Sequence, residues 1–323
     1  MKKSIVIGMA IMLLILIVVA ALLGRQPVTV PEETTTVETT TEATTVETEP
    51  PITWKTYPAT RALTAQQYFV YNVSAKAYAT ISGSGSDRIY PASITKLFTA
   101  YVALQYLDPE LVVTAGDALT LVAPGSSVAE IAEGDQLTVE QLIEAMMLPS
   151  GNDAAYLLAA EAGRIIANDP LLHVSLAVQR FVARMNEAAK EQGMTDTNFV
   201  NPDGIHKPDH YTTFDDLVIL AALAMQEPAI TRYAKRSADM VRFGNGTQKQ
   251  WVNTNALIDP DSEYYCPYAI GLKTGQTPSA GSCLLSAFQH EGAVYIIGVF
   301  GCPEIEDRFD DTLQLFNEAA GIE

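Results

Sequence analysis

The chain has 323 residues, 48% of them hydrophobic, enough for a substantial core in one α/β domain or in a domain with a helical lobe. Its 38 acidic against 20 basic residues leave a formal net charge of −18, which excludes nucleic acid as a partner. Only six acidic and four basic residues fall within the first 56, so the acidity belongs to the remainder.

Lys2 and Lys3 precede an uninterrupted apolar run, Ile5–Leu23. A helix of about 20 such residues spans a ~30 Å hydrocarbon core, whereas a cleaved signal peptide has a shorter apolar region and a small-residue cleavage site. Residues 1–24 therefore read as a signal-anchor transmembrane helix. The two lysines put its N-terminus in the cytoplasm and the rest of the chain outside it. Residues 25–56 contain a quasi-repeat of Glu and Thr bounded by Pro31 and Pro50, too polar to offset chain entropy by burial. They read as a disordered linker that holds the domain of residues 57–323 away from the membrane.

Within that domain, Tyr68–Asn72 and Ala77–Ser82 read as short strands. Pro91 opens a helix whose first turn holds Ser93. From Ser93 to Leu107 the only charge is Lys96 and apolar residues occur nearly all round, the pattern of a central, buried helix. Thr138-Val139-Glu140-Gln141 fits a capping box for a helix through Leu142–Leu148. Pro149-Ser150-Gly151 breaks it and Asn152–Ala162 resumes, so Ser150 and Asn152 sit on an inter-helix loop. Leu171–Gln192 and Thr213–Gln226 have helical periodicity, with a strong turn at Asn201-Pro202-Asp203-Gly204 between them. Tyr268–Thr274, Ser282–Gln289 and Ala293–Gly301 read as an antiparallel meander, with Lys273-Thr274-Gly275 at the end of its first strand, and Arg308–Ala320 as a final helix. The fold class is α/β (α+β): one antiparallel sheet from N- and C-terminal segments, with a helical lobe beside it.

Three motifs carry chemistry: Ser93-Ile94-Thr95-Lys96, Ser150-Gly151-Asn152 and Lys273-Thr274-Gly275. Each alone is common enough to arise by chance; their order, spacing and local context are informative. A serine hydroxyl needs a base to accept its proton. Lys96, three residues on and on the same helix face, is disfavoured as a cation by its apolar helix, with Lys273 expected to depress it further. Ser150 can relay a proton to a departing amine, and the Asn152 amide can bind a substrate amide. Lys273 and Thr274 offer a cation and a hydroxyl to a carboxylate, and Gly275 permits close backbone approach. The backbone N–H groups of Ser93 and Gln276 are the natural oxyanion-hole donors. His173, His206, His210 and His290 are scattered and read as structural. Cys266, Cys283 and Cys302 lack a His at ligand spacing, so no metal site or cofactor is expected; they form one disulfide or remain buried free thiols.

The motifs, with the longer stretches YPASITKLFTA, GDQLTVEQLIEAMMLPSGNDAAYLLA, GMTDTNFVNPDGIH and AIGLKTGQTPSAG, resemble the low-molecular-mass penicillin-binding proteins of the serine-type D-alanyl-D-alanine carboxypeptidase family. The similarity runs across nearly all of residues 60–320. It implies a β-lactamase/penicillin-binding-protein transpeptidase-like fold and a peptidoglycan stem peptide ending in D-Ala-D-Ala as substrate. It also implies Ser93 as acyl-ester nucleophile, Lys96 as base, Ser150 as proton relay, and Lys273, Thr274 and Gly275 as the terminal carboxylate site. β-Lactam antibiotics would be covalent inhibitors, and the domain would face the cell wall.

Three other readings share this architecture. A D,D-endopeptidase uses the same machinery on cross-linked peptides. A class A-like β-lactamase typically has Ser-Asp-Asn as its second motif and a Glu-x-x-Leu-Asn loop; this chain has Ser150-Gly151-Asn152 and no such loop before Lys273, and Glu187 falls inside an expected helix. A non-catalytic penicillin-sensing module would need a means of signal output that the short segment before the apolar run does not offer.

Overall fold

The computed structural model describes residues 62–322; the transmembrane helix and linker expected over residues 1–56 lie outside the described residues. Among the described residues no helix is long and apolar enough to cross a membrane. The first half contains β1 (Gln67–Asn72), β2 (Ala77–Ile81), β3 (Arg88–Ile89), a 3-10 turn at Ala92–Ile94, α1 (Thr95–Ala103), β4 (Val112–Thr114), β5 (Gln136–Thr138), α2 (Val139–Met147), α3 (Asn152–Ile166) and α4 (Val174–Glu191). There follow β6 (Thr212–Thr213), α5 (Phe214–Gln226), α6 (Pro228–Ala234), β7 (Ala238–Arg242), β8 (Gln248–Val252), β9 (Ala269–Thr277), β10 (Gly281–His290), β11 (Ala293–Cys302) and α7 (Asp307–Ala320).

Five antiparallel strands form one sheet in the order β2-β1-β11-β10-β9, uniting both ends of the domain as the hydrophobic patterning requires. Successive residues point to opposite faces. Along β11, Ile296 and Phe300 join the core shared with the helical lobe, while Tyr295, Ile297 and Val299 pack with Phe309, Leu315 and Phe316 of α7. Phe288 of β10 stacks on Phe316 with ring centroids 4.3 Å apart. Each such ring contributes roughly 1.5–3 kcal/mol by burial, so the sheet is held from both sides.

The helical lobe follows the local signals. Thr138 caps α2 through a complete capping box: its hydroxyl accepts from the Gln141 N–H over 3.1 Å, and the Gln141 side chain accepts from the Thr138 N–H over 3.0 Å. In α1, Leu97, Phe98, Ala100 and Val102 are all buried, as the nearly uncharged sequence demands.

Several expectations need adjustment. Ser93 lies in the 3-10 turn before α1 rather than within an α-helix. Helix α4 starts at Val174, because the His173 ring nitrogen accepts from the Ser175 N–H over 3.4 Å and caps it there. Lys273-Thr274-Gly275 is inside β9 and not at its end: Gly275 and Gln276 continue the pairing, opposite Cys283 and Ser282. The chain turns only after Thr277, whose hydroxyl accepts from the Ala280 N–H over 3.0 Å. Cys266, Cys283 and Cys302 are buried free thiols, which settles the choice between a disulfide and free thiols.

Candidate active site

The three motifs converge because three elements end, break or expose an edge at one place. Strand β9 is the outer strand of the sheet, and its free edge faces the Ala92–Ile94 turn. Gly275 makes that approach possible: a Cβ there would stand 2.9 Å from the Ala92 Cβ and 3.1 Å from the Ser93 nitrogen. On the other side a Cβ at Gly204, whose φ is +87°, would overlap the Ala92 carbonyl oxygen. The turn that carries Ser93 is thus gripped between two glycines. Each motif also starts at or directly after a strained backbone position, with φ of +48° at Ala92, +63° at Ser150 and +106° at Leu272. Strain of this kind costs about 1–3 kcal/mol per residue and persists only where packing over-determines it.

Ser93, Ser150, Asn152, Thr274, Gly275 and Gln276 line one cavity of about 710 Å³. Lys96 and Lys273 are buried behind its wall. Lys96 Nζ lies 2.7 Å from Ser93 Oγ and donates to the Asp203 carbonyl over 2.9 Å. Burial pulls the Lys96 amine down to about 8, against the opposing pull of Asp203 and Asp153. Lys273 Nζ donates to the Thr274 carbonyl over 3.2 Å. Burial first, then the charges of Lys96 and Arg308, push it well below the ordinary amine range. The repulsion expected to depress Lys96 therefore acts on Lys273.

The second motif is set by Asp153 behind it. Its carboxylate accepts from the N–H groups of Ala129 at 2.9 Å and Ile131 at 3.0 Å, tying the loop that carries Ser126 and Ser127 to the start of α3. Asn152 is buried and its Oδ1 has no partner among the described residues, an acceptor left open for a ligand N–H.

Three contributors have no motif. Asp203 holds Lys96 through its carbonyl, and burial raises its carboxyl above the usual range, opposed by Lys96. Thr254 lines the cavity, 2.5 Å from Thr274 hydroxyl to hydroxyl. Arg308 reaches the cavity from the first turn of α7, is buried, and is lowered to about 10 by desolvation, so it remains a cation at neutral pH. A cation in the first turn opposes the helix dipole, and that mismatch is the one signal in the sequence for Arg308.

The histidines take packing roles. His210 is buried with Nε2 2.8 Å from Thr95 Oγ1, and His206 stacks edge-on with Tyr90 at 4.5 Å between ring centroids. His290 stacks on Tyr268 and Phe316. Glu187 pairs with Arg184 on the exposed face of α4 and does not line the cavity. Among the described residues no cluster of three or more His, Cys, Asp or Glu is arranged to hold a metal ion.

The geometry has close counterparts among known proteins. The crystal structure of the Streptomyces K15 DD-transpeptidase superposes with a TM-score of 0.71 at 30% identity, covering 80% of this chain and 98% of that one. Penicillin-binding protein D2 from Listeria monocytogenes in its cefotaxime-bound form, 24% identical with a TM-score of 0.65, shares the fold. The D-alanyl-D-alanine carboxypeptidase of Streptomyces sp. strain K15 is 32% identical over 257 residues, 74% of this chain and 84% of that protein. DacF of Bacillus subtilis is 30% identical over 229 residues, 70% of this chain and 54% of its own length, so the chain spans about half of that longer relative. The family model described as D-alanyl-D-alanine carboxypeptidase matches residues 58–303, and the chain belongs to that family.

Proposed function

We propose that the protein is a serine-type D-Ala-D-Ala carboxypeptidase that removes the terminal D-Ala from peptidoglycan stem pentapeptides. The observation that carries this reading is the 2.7 Å contact between Ser93 Oγ and a buried, depressed Lys96 amine beside a cavity lined by all three motifs. Neutral Lys96 takes the Ser93 proton as Oγ attacks the penultimate D-Ala carbonyl carbon. The oxyanion lies between the N–H groups of Ser93 and Gln276. Ser150 passes a proton to the departing D-Ala nitrogen, and water then cleaves the acyl ester on Ser93. Asn152 binds the substrate amide, and the terminal carboxylate sits against Thr274, Lys273, Gly275 and Arg308. A β-lactam enters the same cycle, acylates Ser93 and leaves slowly. The apolar run Ile5–Leu23 after Lys2 and Lys3 supports a membrane-anchored enzyme with its catalytic domain on the cell-wall side.

The test is D-Ala release by the full-length protein from a synthetic stem pentapeptide, run beside a cross-linked peptide dimer. The expected result is release from the pentapeptide in preference to the dimer, abolished in Ser93→Ala together with covalent labelling by penicillin. No release, or labelling that survives in Ser93→Ala, overturns the proposal; preference for the dimer makes the enzyme an endopeptidase.

A further inference from the structure

Thr254 belongs to none of the three motifs, yet it is fixed at the cavity from both sides. Its N–H donates to the carbonyl of Leu148, two residues before Ser150, over 3.1 Å. The preceding Asn253 donates its N–H to the Ser237 carbonyl over 2.7 Å and its side-chain amide to the Arg236 carbonyl over 3.0 Å. The same side chain accepts from the Asn255 N–H over 2.9 Å. The backbone at Thr254 is therefore held to the helical lobe, while its side chain crosses to the sheet and meets Thr274 at 2.5 Å.

A hydroxyl has one proton and two lone pairs. Thr274 Oγ1 is approached by Thr254 Oγ1 at 2.5 Å and by Lys273 Nζ at 3.5 Å. With both donating, the lone pairs of Thr274 are occupied and its proton has one direction left, into the cavity. Received hydrogen bonds also polarise the one that is given. We infer that Thr254 is a positioning and specificity-determining residue: its hydroxyl orients Thr274 as a donor to the terminal carboxylate of the substrate. The inference rests on the carboxypeptidase reading. It adds that selectivity for a free carboxylate is set partly from the lobe side of the cleft, through a residue that touches the substrate-binding threonine.

The experiment compares the full-length protein with Thr254→Val and Thr254→Ser on two acylated tripeptides. One ends in D-Ala-D-Ala with a free carboxylate, the other in the carboxamide, and the shortened peptide is measured by mass spectrometry. Thr254→Val is expected to raise KM for the acid roughly five- to tenfold with kcat within about twofold, the loss of one hydrogen bond. Thr254→Ser restores it, and the carboxamide shows no difference among the three proteins. Acylation by benzylpenicillin and by its methyl ester gives a second reading that needs no peptide turnover, with the same selective loss expected for the free acid. Thr254→Ala replaces Thr254→Val in both assays if the valine does not fold. Equal slowing of acid and amide, an unchanged acid KM, or no rescue by serine overturns the inference. Failure of the wild-type protein to cleave the acid peptide instead overturns the proposed activity, and the penicillin pair then still decides the role of Thr254.

Discussion

Lys96 Nζ lies 2.7 Å from Ser93 Oγ, and its other hydrogen bond goes to the carbonyl of Asp203 rather than to a carboxylate. A carboxylate partner would stabilise the ammonium form, whereas a single carbonyl in a buried site leaves the neutral amine accessible. As the proposed base, Lys96 works deprotonated, and its value of about 8 places the transition within the range of ordinary assays. The acylation rate of Ser93 by benzylpenicillin should rise with pH and level off above about 8. A flat profile between pH 6 and 9 would contradict Lys96 as the base. Lys96→Ala should slow acylation by roughly a hundredfold or more on the plateau above about 8, and should flatten the profile below it.

The Asp203 carboxyl acts on Lys96 in the opposite direction to burial, stabilising the charged amine. In Asp203→Asn this support is gone while the backbone carbonyl remains, so the Lys96 transition moves to lower pH. The same acylation profile reads the shift. An unmoved transition would show that the carboxyl is protonated throughout and acts only by packing.

Arg308 remains a cation at neutral pH, since burial lowers it only to about 10. Arg308→Gln should raise KM for a substrate with a free terminal carboxylate by roughly tenfold or more, the range for a charged hydrogen bond. The carboxamide substrate should be affected much less.

His210 gives the fold its sensitivity to acid. Burial lowers its pKa to about 4 against an ordinary value of 6.5. Between those two values the unfolded chain binds a proton that the folded one refuses. Stability is therefore full above about 6.5 and falls as pH drops towards 4, by up to ~3 kcal/mol. Thermal melts of the wild type and His210→Asn at pH 4.5 and 7.5 measure this; the variant should show a smaller difference between the two pH values.

What the sequence made legible was local. Ser93 and Lys96 are one helical turn apart, Thr138 and Gln141 form a capping box in four residues, and the continuous apolar runs of β10 and β11 need no distant partner to be read. Thr254 and Arg308 were not legible because their roles depend on contacts across the fold: Thr254 meets a strand twenty residues later, and Arg308 reaches the cleft from a helix with no motif. The β7–β8 hairpin escaped for another reason. Its exposed face carries Met240 and Val252 beside charged and amide side chains, so the apolar alternation that marks a half-buried strand is diluted.

The pairing of Gln67 with Phe300 joins residues more than two hundred positions apart, and β1 has β11 as its inner neighbour in the sheet. The platform on which Ser93 is displayed is therefore incomplete until the last strand has been made and docked. Contacts this distant in sequence form late and slowly. A growing chain carries its serine as an ordinary hydroxyl. Reactivity, and with it vulnerability to an acylating antibiotic, arrives only when both ends of the domain have met.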